Sequence, residues 1–366
     1  YNQMKYIVNT KCKTPAYLQL YSQIKDDIVT GTYLYQSKLP SKRTMAADTG
    51  ISIVTVKHAY ELLCDEGYIE ARERSGFFVT FRRADGFMST AKQAILPHNH
   101  HQHSDFSEFP FSVLAKTMRK VINDYGNSIL DKSPNAGLLE LREAIRQYLA
   151  RNRGIYVDAE QIIIGSGAEY LYSLIVVTLG KERIFAIESP SYEKIECVYR
   201  CAGVKYELLP LVQDGIDSNA LAKTGANVLH ISPFRSFPSG ITASASKKYE
   251  YISWASKLDR IIIEDDFESE FTILSKPEET LFTLTKNDNV IYLNTFSKTI
   301  SPSLRVGYMV LPKTLAKSFY DKLGFNTCTV PTFEQLLLLE LISNGDFERH
   351  INRIRRIKRK NLPYIR

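Results

Sequence analysis

The chain has 366 residues, of which 44% are hydrophobic and 24% charged, a composition typical of a folded protein with more than one domain. It has neither a run of about 18 apolar residues nor the apolar core of a signal peptide near its start, which argues against a membrane span and against secretion. We therefore expect a cytoplasmic protein with no membrane partner. The net charge of +7 permits an acidic partner such as nucleic acid without identifying one.

The first eighty residues predict three helices followed by a short hairpin. A helical period runs through TPAYLQLYSQIKDDIVTGTY, and Gly31 ends it. A second, short helix is predicted in LPSKRTMAADTG and a third in ISIVTVKHAYELLCDEG, with Ser52 as its N-cap. Two strands around Ser75 and Gly76 follow in YIEARERSGFFVTF. These are the parts of a winged helix-turn-helix.

This segment resembles the DNA-binding domain of the bacterial GntR family, in YLQLYSQIKDDIVTGTY, KLPSKRTMAADTGIS, TVKHAYELLCDEGYIE and GFFV. The resemblance implies a mainly α domain with a β wing over residues 1–81, which binds double-stranded operator DNA. The DNA contacts that it implies are Ser41 and Arg43 at phosphates or base edges, Ser52, Thr55, Lys57 and His58 on the recognition helix, and Arg72, Arg74 and Gly76 in the wing. Taken alone, Arg43 or Lys57 would be a solvated charge on a helix face.

The recognition helix departs from the family pattern at one point. Many such domains carry a polar or basic residue just after the serine, whereas this chain has Ile53 and Val54. The base preference of the helix therefore does not follow from the resemblance.

Residues 82–105 show no sustained period and are predicted to be a linker. They contain four histidines, His98, His100, His101 and His103, and neutral imidazoles ligate zinc or nickel. No cysteine or carboxylate accompanies them at a defined spacing, so the cluster is more typical of a polar linker. We predict no metal site.

From residue 106 to residue 366, helical patterns alternate with short apolar runs. The runs are QIIIG, RIFAIE, NVLHIS, RIIIEDD and VIYLNTF. Continuous apolar strands are typical of a parallel sheet that is covered on both faces by helices. The sequence therefore predicts a large α/β domain whose ligand site lies where the strands end.

Four stretches that follow these strands carry candidate chemistry. The stretch IIIGSGAEYLYSL predicts a helix that starts near Ala168, where free backbone N–H groups suit a phosphate. Tyr192 in ESPSYEKI can stack on a flat ring. RIIIEDDFESEF ends a buried strand in three carboxylates, which need a positive partner there, and NTFSKTISPSLR supplies Lys298 and Arg305. Together these groups are what pyridoxal 5′-phosphate requires.

The order of these stretches resembles the aminotransferase fold, fold type I of the pyridoxal phosphate enzymes, and SKTISPSLRVGY matches its motif SKxxxPxxRxGY. The resemblance implies that Lys298 forms the Schiff base, that Arg305 binds the phosphate and that Asp265 pairs with the pyridine nitrogen, with Asp266 as the alternative. The full set of implied cofactor residues is Gly167, Ala168, Tyr192, Asp265, Thr295, Ser297, Lys298 and Arg305. Without the motif, Lys298 would be a solvated loop lysine and Asp265 a helix N-cap.

Both halves together resemble the MocR regulators, from about residue 13 to the last residue. The resemblance implies a homodimer whose large domain binds pyridoxal phosphate and senses a small amino compound or the cofactor itself. Two other functions remain open. One is a catalytically active pyridoxal phosphate-dependent aminotransferase that carries a DNA-binding domain, and the other is a degenerate fold that only dimerises the DNA-binding heads.

Three departures from the family bear on that function. Phe267 stands where relatives usually have a tyrosine whose phenol reaches the ring oxygen of the cofactor. Arg235 in RSFPSG replaces a histidine of HQFPTG, and either binds an effector carboxylate or pairs with a surface acid. The chain stops at NRIRRIKRKNLPYIR, so we expect the small C-terminal domain of this fold to be absent from it. The basic run 349–360 predicts an amphipathic helix with three isoleucines on one face.

Overall fold

Two units make up the chain, Tyr1–His101 and Gln102–Arg366. The computed structural model describes residues 6–9, 12, 14–82, 109–257, 259–272 and 279–361. Apart from residue 82, the predicted linker and its four histidines lie outside these ranges. No helix within the described ranges is long and apolar enough to cross a membrane.

The N-terminal unit folds as the predicted winged helix-turn-helix. Its elements are α1 (Ala16–Thr30), α2 (Lys42–Thr49), α3 (Ile53–Asp65), β1 (Ile69–Arg72) and β2 (Gly76–Val79). The helical period of α1 places Leu20, Ile24 and Ile28 in the core. Gly31 ends α1 in the left-handed conformation, with φ +88°, as predicted.

The turn of the hairpin differs from the prediction. Arg72 of β1 pairs with Gly76 of β2, so the loop consists of residues 73–75 and Gly76 already belongs to a strand. Arg74 takes the left-handed position of this three-residue loop, with φ +57°. The glycine suggested a tight turn at Ser75-Gly76, because glycine is the usual residue with positive φ.

The C-terminal unit is an α/β fold. Its helices are α4 (Phe111–Tyr125), α5 (Leu139–Arg153), α6 (Ala168–Leu179), α7 (Glu193–Ala202), α8 (Ser218–Lys223), α9 (Ala245–Ala255), α10 (Leu281–Leu284), α11 (Lys313–Leu323), α12 (Thr332–Ser343) and α13 (Asp346–Asn361). Its strands are β3 (Ile162–Gly165), β4 (Ile184–Ser189), β5 (Lys205–Val212), β6 (Gly215–Ile216), β7 (Val228–Ile231), β8 (Ile261–Asp265), β9 (Val290–Thr295) and β10 (Gly307–Val310). Short 3-10 helices lie at Gly126–Leu130, Ala159–Gln161 and Ser269–Phe271.

Among the described residues, eight strands form one mixed sheet in the order β3-β10-β9-β8-β7-β4-β5-β6. The neighbours β9, β8, β7, β4 and β5 are parallel, β10 is antiparallel to β3 and β9, and β6 is antiparallel to β5. The five predicted strands, β3, β4, β7, β8 and β9, are confirmed. β5 was not predicted because it lies near the sheet edge and carries polar residues, and β10 was not predicted either.

Alternate residues of β3 face opposite layers of helices. In β3, Ile162 and Ile164 pack against α5 and α12, whereas Ile163 packs against α6, α7 and α11. Both faces of the strand are therefore buried, which is why its sequence is a continuous apolar run.

Helix α13 bears out the predicted amphipathic helix only in part. Ile351 and Ile354 are buried, but Ile357 is 45% exposed. The next residue, Lys358, faces the core in place of Ile357. Its Nζ lies 4.9 Å from the centroid of the Phe271 ring. The apolar stem of a lysine can cover such a ring while its ammonium stays near water.

Candidate functional site

A cavity of about 310 Å³ lies at the carboxyl ends of the parallel strands in the C-terminal unit. The predicted cofactor residues that line it are Ala168, Tyr192, Asp265, Thr295, Ser297, Lys298 and Arg305. They come from the starts of α6 and α7, from the ends of β8 and β9, and from the segment between β9 and β10. The fold thus brings together side chains that are far apart in the sequence.

Lys298 lies between an aromatic ring and a carboxylate. Its Nζ is 4.3 Å from the centroid of the Phe267 ring and 3.9 Å from Glu268 Oε1. Burial lowers the pKa of Lys298, against the opposing effect of Glu268. A lowered pKa leaves more of the amine neutral and therefore nucleophilic.

Asp265 is buried at the end of β8 and faces the cavity. Its Oδ2 accepts a hydrogen bond from the Tyr172 hydroxyl and lies 3.8 Å from His230 Nε2. Its Oδ1 has no hydrogen-bond partner among the described residues. Buried polar atoms in native proteins are nearly always paired, so a free acceptor that faces a cavity fits a ligand donor such as a protonated ring nitrogen.

The carboxylates on either side of Asp265 have their partners within the protein. Asp266 Oδ2 accepts hydrogen bonds from Arg153 Nη2 at 2.5 Å and from the Tyr292 hydroxyl at 2.6 Å, and it does not line the cavity. The geometry therefore favours Asp265 over the alternative Asp266.

Glu264 is the first of the three strand-end carboxylates. It accepts the backbone N–H groups of Leu281 at 2.8 Å and Phe282 at 2.9 Å, and burial raises its pKa to about 8. The sequence predicted positive partners for all three carboxylates. Only Asp266 has an arginine partner in the described part of the chain. Burial and the neighbouring Asp266 carboxylate raise the pKa of Glu264, against the two backbone N–H donors, which favour its charged form.

Gly167, Ala168 and Arg305 meet at the N-terminus of α6. Gly167 has φ +90°, and a Cβ there would lie 2.9 Å from Arg305 Nη2, so the guanidinium packs against bare backbone. An arginine beside a helix N-terminus is a suitable cradle for a phosphate. Arg305 Nη2 also donates to Glu169 Oε2 at 2.6 Å, a contact that the sequence does not predict.

The other predicted cofactor residues form walls of the cavity. The ring of Tyr192 packs edge-on against Phe237, with 6.2 Å between the centroids. Thr295 is the last residue of β9. The Ser297 hydroxyl donates to Leu304 O at 3.2 Å, so it holds the loop between β9 and β10 in shape.

Arg235 lies outside the cavity lining and is half exposed. Its Nε is 3.8 Å from Glu268 Oε2, and its backbone has φ +49°. Of the two alternatives predicted for Arg235, pairing with an acid is the one that this structure contains, with Glu268 as the partner. Binding of an effector carboxylate by Arg235 stays a prediction.

Four lining residues were not singled out from the sequence: Glu169, Tyr172, Ser232 and Phe237. Tyr172 could have been found, because it lies four residues after Ala168 and a helix places such a pair on one face. Ser232 follows the end of β7, where the strand-end rule also points. Phe237 lies on a loop, and its position carries no periodic signal.

Both serines that were predicted to contact DNA cap helices of the N-terminal unit. The Ser41 hydroxyl accepts the backbone N–H of Thr44 at 3.1 Å, and the Ser52 hydroxyl accepts that of Thr55 at 3.1 Å. The N-cap predicted for Ser52 is confirmed. Both hydroxyls remain at exposed helix ends.

The basic side chains predicted to contact DNA are all exposed: Arg43, Lys57, His58, Arg72 and Arg74. Three of them have acidic partners. Lys57 Nζ lies 3.4 Å from Glu61 Oε1, Arg72 Nε lies 2.6 Å from Glu70 Oε1, and Arg74 Nε lies 4.0 Å from Glu73 Oε1. The first turn of α3 also exposes two apolar residues, Ile53 by 50% and Val54 by 63%. The surface of the recognition helix is therefore apolar at its start and basic one turn later.

Each of the two units matches a known protein family. Residues 16–79 match the gntR family of bacterial regulatory proteins, and residues 104–363 match aminotransferase class I and II.

Two relatives and one solved structure illustrate the similarity. The uncharacterized HTH-type transcriptional regulator YdeL of Bacillus subtilis is 32% identical, over 98% of this chain and 80% of its own length. The probable rhizopine catabolism regulatory protein MocR of Rhizobium meliloti is 28% identical, over 96% of this chain and 76% of its own. The alpha-aminoadipate aminotransferase LysN of Thermus thermophilus, solved with N-(5′-phosphopyridoxyl)-L-leucine, is 26% identical with a TM-score of 0.62; the alignment covers 69% of this chain and 65% of the LysN chain. The chain therefore belongs to the MocR-type transcriptional regulators, in which a GntR domain is joined to an aminotransferase class I and II domain.

Proposed function

We propose that this regulator binds operator DNA through its winged helix and uses the cavity of its C-terminal unit to hold pyridoxal 5′-phosphate as a sensor. The observation that carries the proposal is the arrangement of the cavity. A lysine with a lowered pKa, a buried carboxylate oxygen without a partner among the described residues, and an arginine at a helix N-terminus line one space. That donor set matches the aldehyde, the ring nitrogen and the phosphate of the cofactor.

Each residue would have a separate task in holding the group. When bound, pyridoxal 5′-phosphate supplies an aldehyde that condenses with an amine, with loss of water, and a ring that withdraws electrons once its nitrogen is protonated. Lys298 would provide the amine, and Asp265 Oδ1 would hold the proton on the nitrogen. Tyr192 would cover the ring, and Arg305 would bind the phosphate beside Gly167 and Ala168, with Thr295 and Ser297 as further hydroxyl donors.

The sensing step would be a competition between Lys298 and a small amino compound for the aldehyde of the cofactor. A small amino compound would react in place of the lysine, and the freed ammonium would then be able to pair with Glu268, which lies 3.9 Å away. Such a compound can change DNA binding only if it has different affinities for two arrangements of the protein. We propose a homodimer, in which two winged helices bind two half-sites of the operator.

The absorption spectrum of the purified full chain with added pyridoxal 5′-phosphate tests the cavity. We expect a visible band from the bound cofactor that disappears in Lys298→Ala. Lys223→Ala is the matched control, because Lys223 is an exposed lysine of α8 that does not line the cavity. Absence of the band in wild type would favour a fold that only dimerises the DNA-binding domains. Survival of the band unchanged in Lys298→Ala would reject Lys298 as the covalent partner.

A second candidate is a working aminotransferase that carries a DNA-binding domain. The lowered pKa of Lys298 favours it, because the same amine would serve catalysis. Phe267 opposes it, since a phenyl ring beside Lys298 cannot donate the hydrogen bond of a phenol. Many cycles of keto acid release from an amino acid would support the enzyme, whereas at most one equivalent per chain supports the sensor.

Substitution of Arg43, the exposed arginine of α2, tests DNA binding by the winged helix. If Arg43 contacts a base edge, Arg43→Ala should weaken binding to a selected operator duplex by about 1–3 kcal/mol. Lys223→Ala removes one positive charge from the other unit and should leave the affinity nearly unchanged. A gel shift in which both variants bind equally well would remove Arg43 from the contacts.

A further inference from the structure

The phosphate end of the cavity already contains an anion of the protein itself. The Glu169 carboxylate accepts hydrogen bonds from Arg305 Nη2 through Oε2 and from Lys194 Nζ through Oε1, both at 2.6 Å. Glu169 lies in the first turn of α6, next to Ala168, and its side chain is only 23% exposed.

The electrostatic environment holds this carboxylate in its charged form. Burial acts to raise the pKa of Glu169, but hydrogen bonds from Lys194, from its own backbone N–H and from Arg305 outweigh burial and bring the pKa to about 2. Two cations and a backbone donor at a helix N-terminus therefore converge on one carboxylate. Of these, Arg305 and the helix N-terminus would otherwise be available to a phosphate in the cavity.

We propose that Glu169 is an internal counter-anion of the phosphate subsite, which a phosphorylated ligand must displace from Arg305 and which thereby weakens cofactor binding. The inference rests on the proposed function, because the phosphate concerned is that of pyridoxal 5′-phosphate. Displacement costs the ion pair between Glu169 and Arg305 and leaves a negative side chain near a negative ligand.

The proposed role has a consequence for regulation. A cofactor that is bound weakly dissociates readily, so occupancy of the cavity follows the concentration of free pyridoxal 5′-phosphate. The chain would then respond to the phosphorylated cofactor as an effector, in addition to using it to detect amino compounds. Glu169 would set the concentration at which that response occurs.

Spectroscopic titration of the full chain with pyridoxal 5′-phosphate tests the proposal without any measurement of turnover. Glu169→Gln keeps the shape of the side chain and removes its charge, so the Kd for pyridoxal 5′-phosphate should fall at least about tenfold. Glu169→Ala should change the Kd in the same direction and provides a second variant if the first folds poorly. Titration with pyridoxal, which lacks the phosphate, should give the same Kd in wild type and in both variants.

Glu140→Gln is the charge-matched control. Glu140 is an exposed residue in the first turn of α5 and does not line the cavity, so its loss should change the Kd for pyridoxal 5′-phosphate less than twofold. The proposal is overturned if wild type binds the cofactor and both Glu169 variants bind it no more tightly, or if pyridoxal shows the same gain. If neither wild type nor any variant binds the cofactor, the proposed function falls together with this inference.

Discussion

The buried ion pair behind the cavity allows a quantitative test of the packing. Arg153 Nη2 and Asp266 Oδ2 are 2.5 Å apart, and their side chains are 4% and 6% exposed. Arg153→Met would leave the carboxylate buried without a positive partner, which costs about 3–5 kcal/mol. Since 1 kcal/mol corresponds to about 2–4 °C in a large domain, the melting temperature of the C-terminal unit should fall by roughly 6–20 °C.

Arg151→Met is the matched control for this variant. Arg151 lies on the same helix, α5, and pairs with Glu348 at 3.1 Å, but its side chain is 53% exposed. An exposed pair contributes about 0–1 kcal/mol, so the melting temperature should change by less than about 4 °C. Scanning calorimetry of the full chain measures both shifts. Equal shifts in the two variants would refute the argument that burial makes the Arg153 pair critical.

Two further predictions concern the pH dependence of stability and the base preference of the recognition helix. Burial raises the pKa of Glu188 from 4.5 to about 8, so the folded state keeps its proton over a pH range in which the unfolded state loses it, and stability falls as pH rises from 4.5 to 8. Glu188→Gln should remove that fall. The free energy of unfolding of this variant should exceed that of wild type by about 4 kcal/mol at pH 8 and by little at pH 5. Urea unfolding measures both values, and an equal difference at the two pH values would contradict the raised pKa of Glu188. On α3, the exposed side chains of Ile53 and Val54 should contact thymine methyl groups of the operator. Replacing thymidine by deoxyuridine in a selected operator removes such a methyl group. Each methyl lost should weaken wild-type binding about fourfold, because burial of one methyl group contributes about 0.8 kcal/mol. The double variant Ile53→Ser/Val54→Ser should bind both duplexes equally, and equal binding of both duplexes by wild type would exclude methyl contacts.

The sequence predicted five strands of the sheet because they are buried on both faces. Ile162, Ile163 and Ile164 form such a continuous run and were assigned correctly. β5 was not predicted, since it mixes polar and apolar residues next to the edge strand β6.

Residues of the cavity were predictable where a motif fixed their spacing, as for Lys298 and Arg305 in SKTISPSLRVGY. Contacts between distant segments were not. Glu169 lies within a stretch that the sequence marked as a phosphate turn, yet its pairing with Arg305 depends on how β10 is inserted in the sheet. The partner of Asp266 was also hidden, because Arg153 lies at the end of α5 and local patterns do not report tertiary ion pairs.

β10 also connects the loop of Lys298 and Arg305 to two strands of the sheet. Gly307 of β10 pairs with Thr295 on one side and with Gly165 on the other. The loop that carries Lys298 and Arg305 is therefore closed at its base by backbone hydrogen bonds to both neighbouring strands. A ligand that displaces Lys298 would therefore also displace β9 and β3, because the loop is hydrogen-bonded at its base and does not move alone.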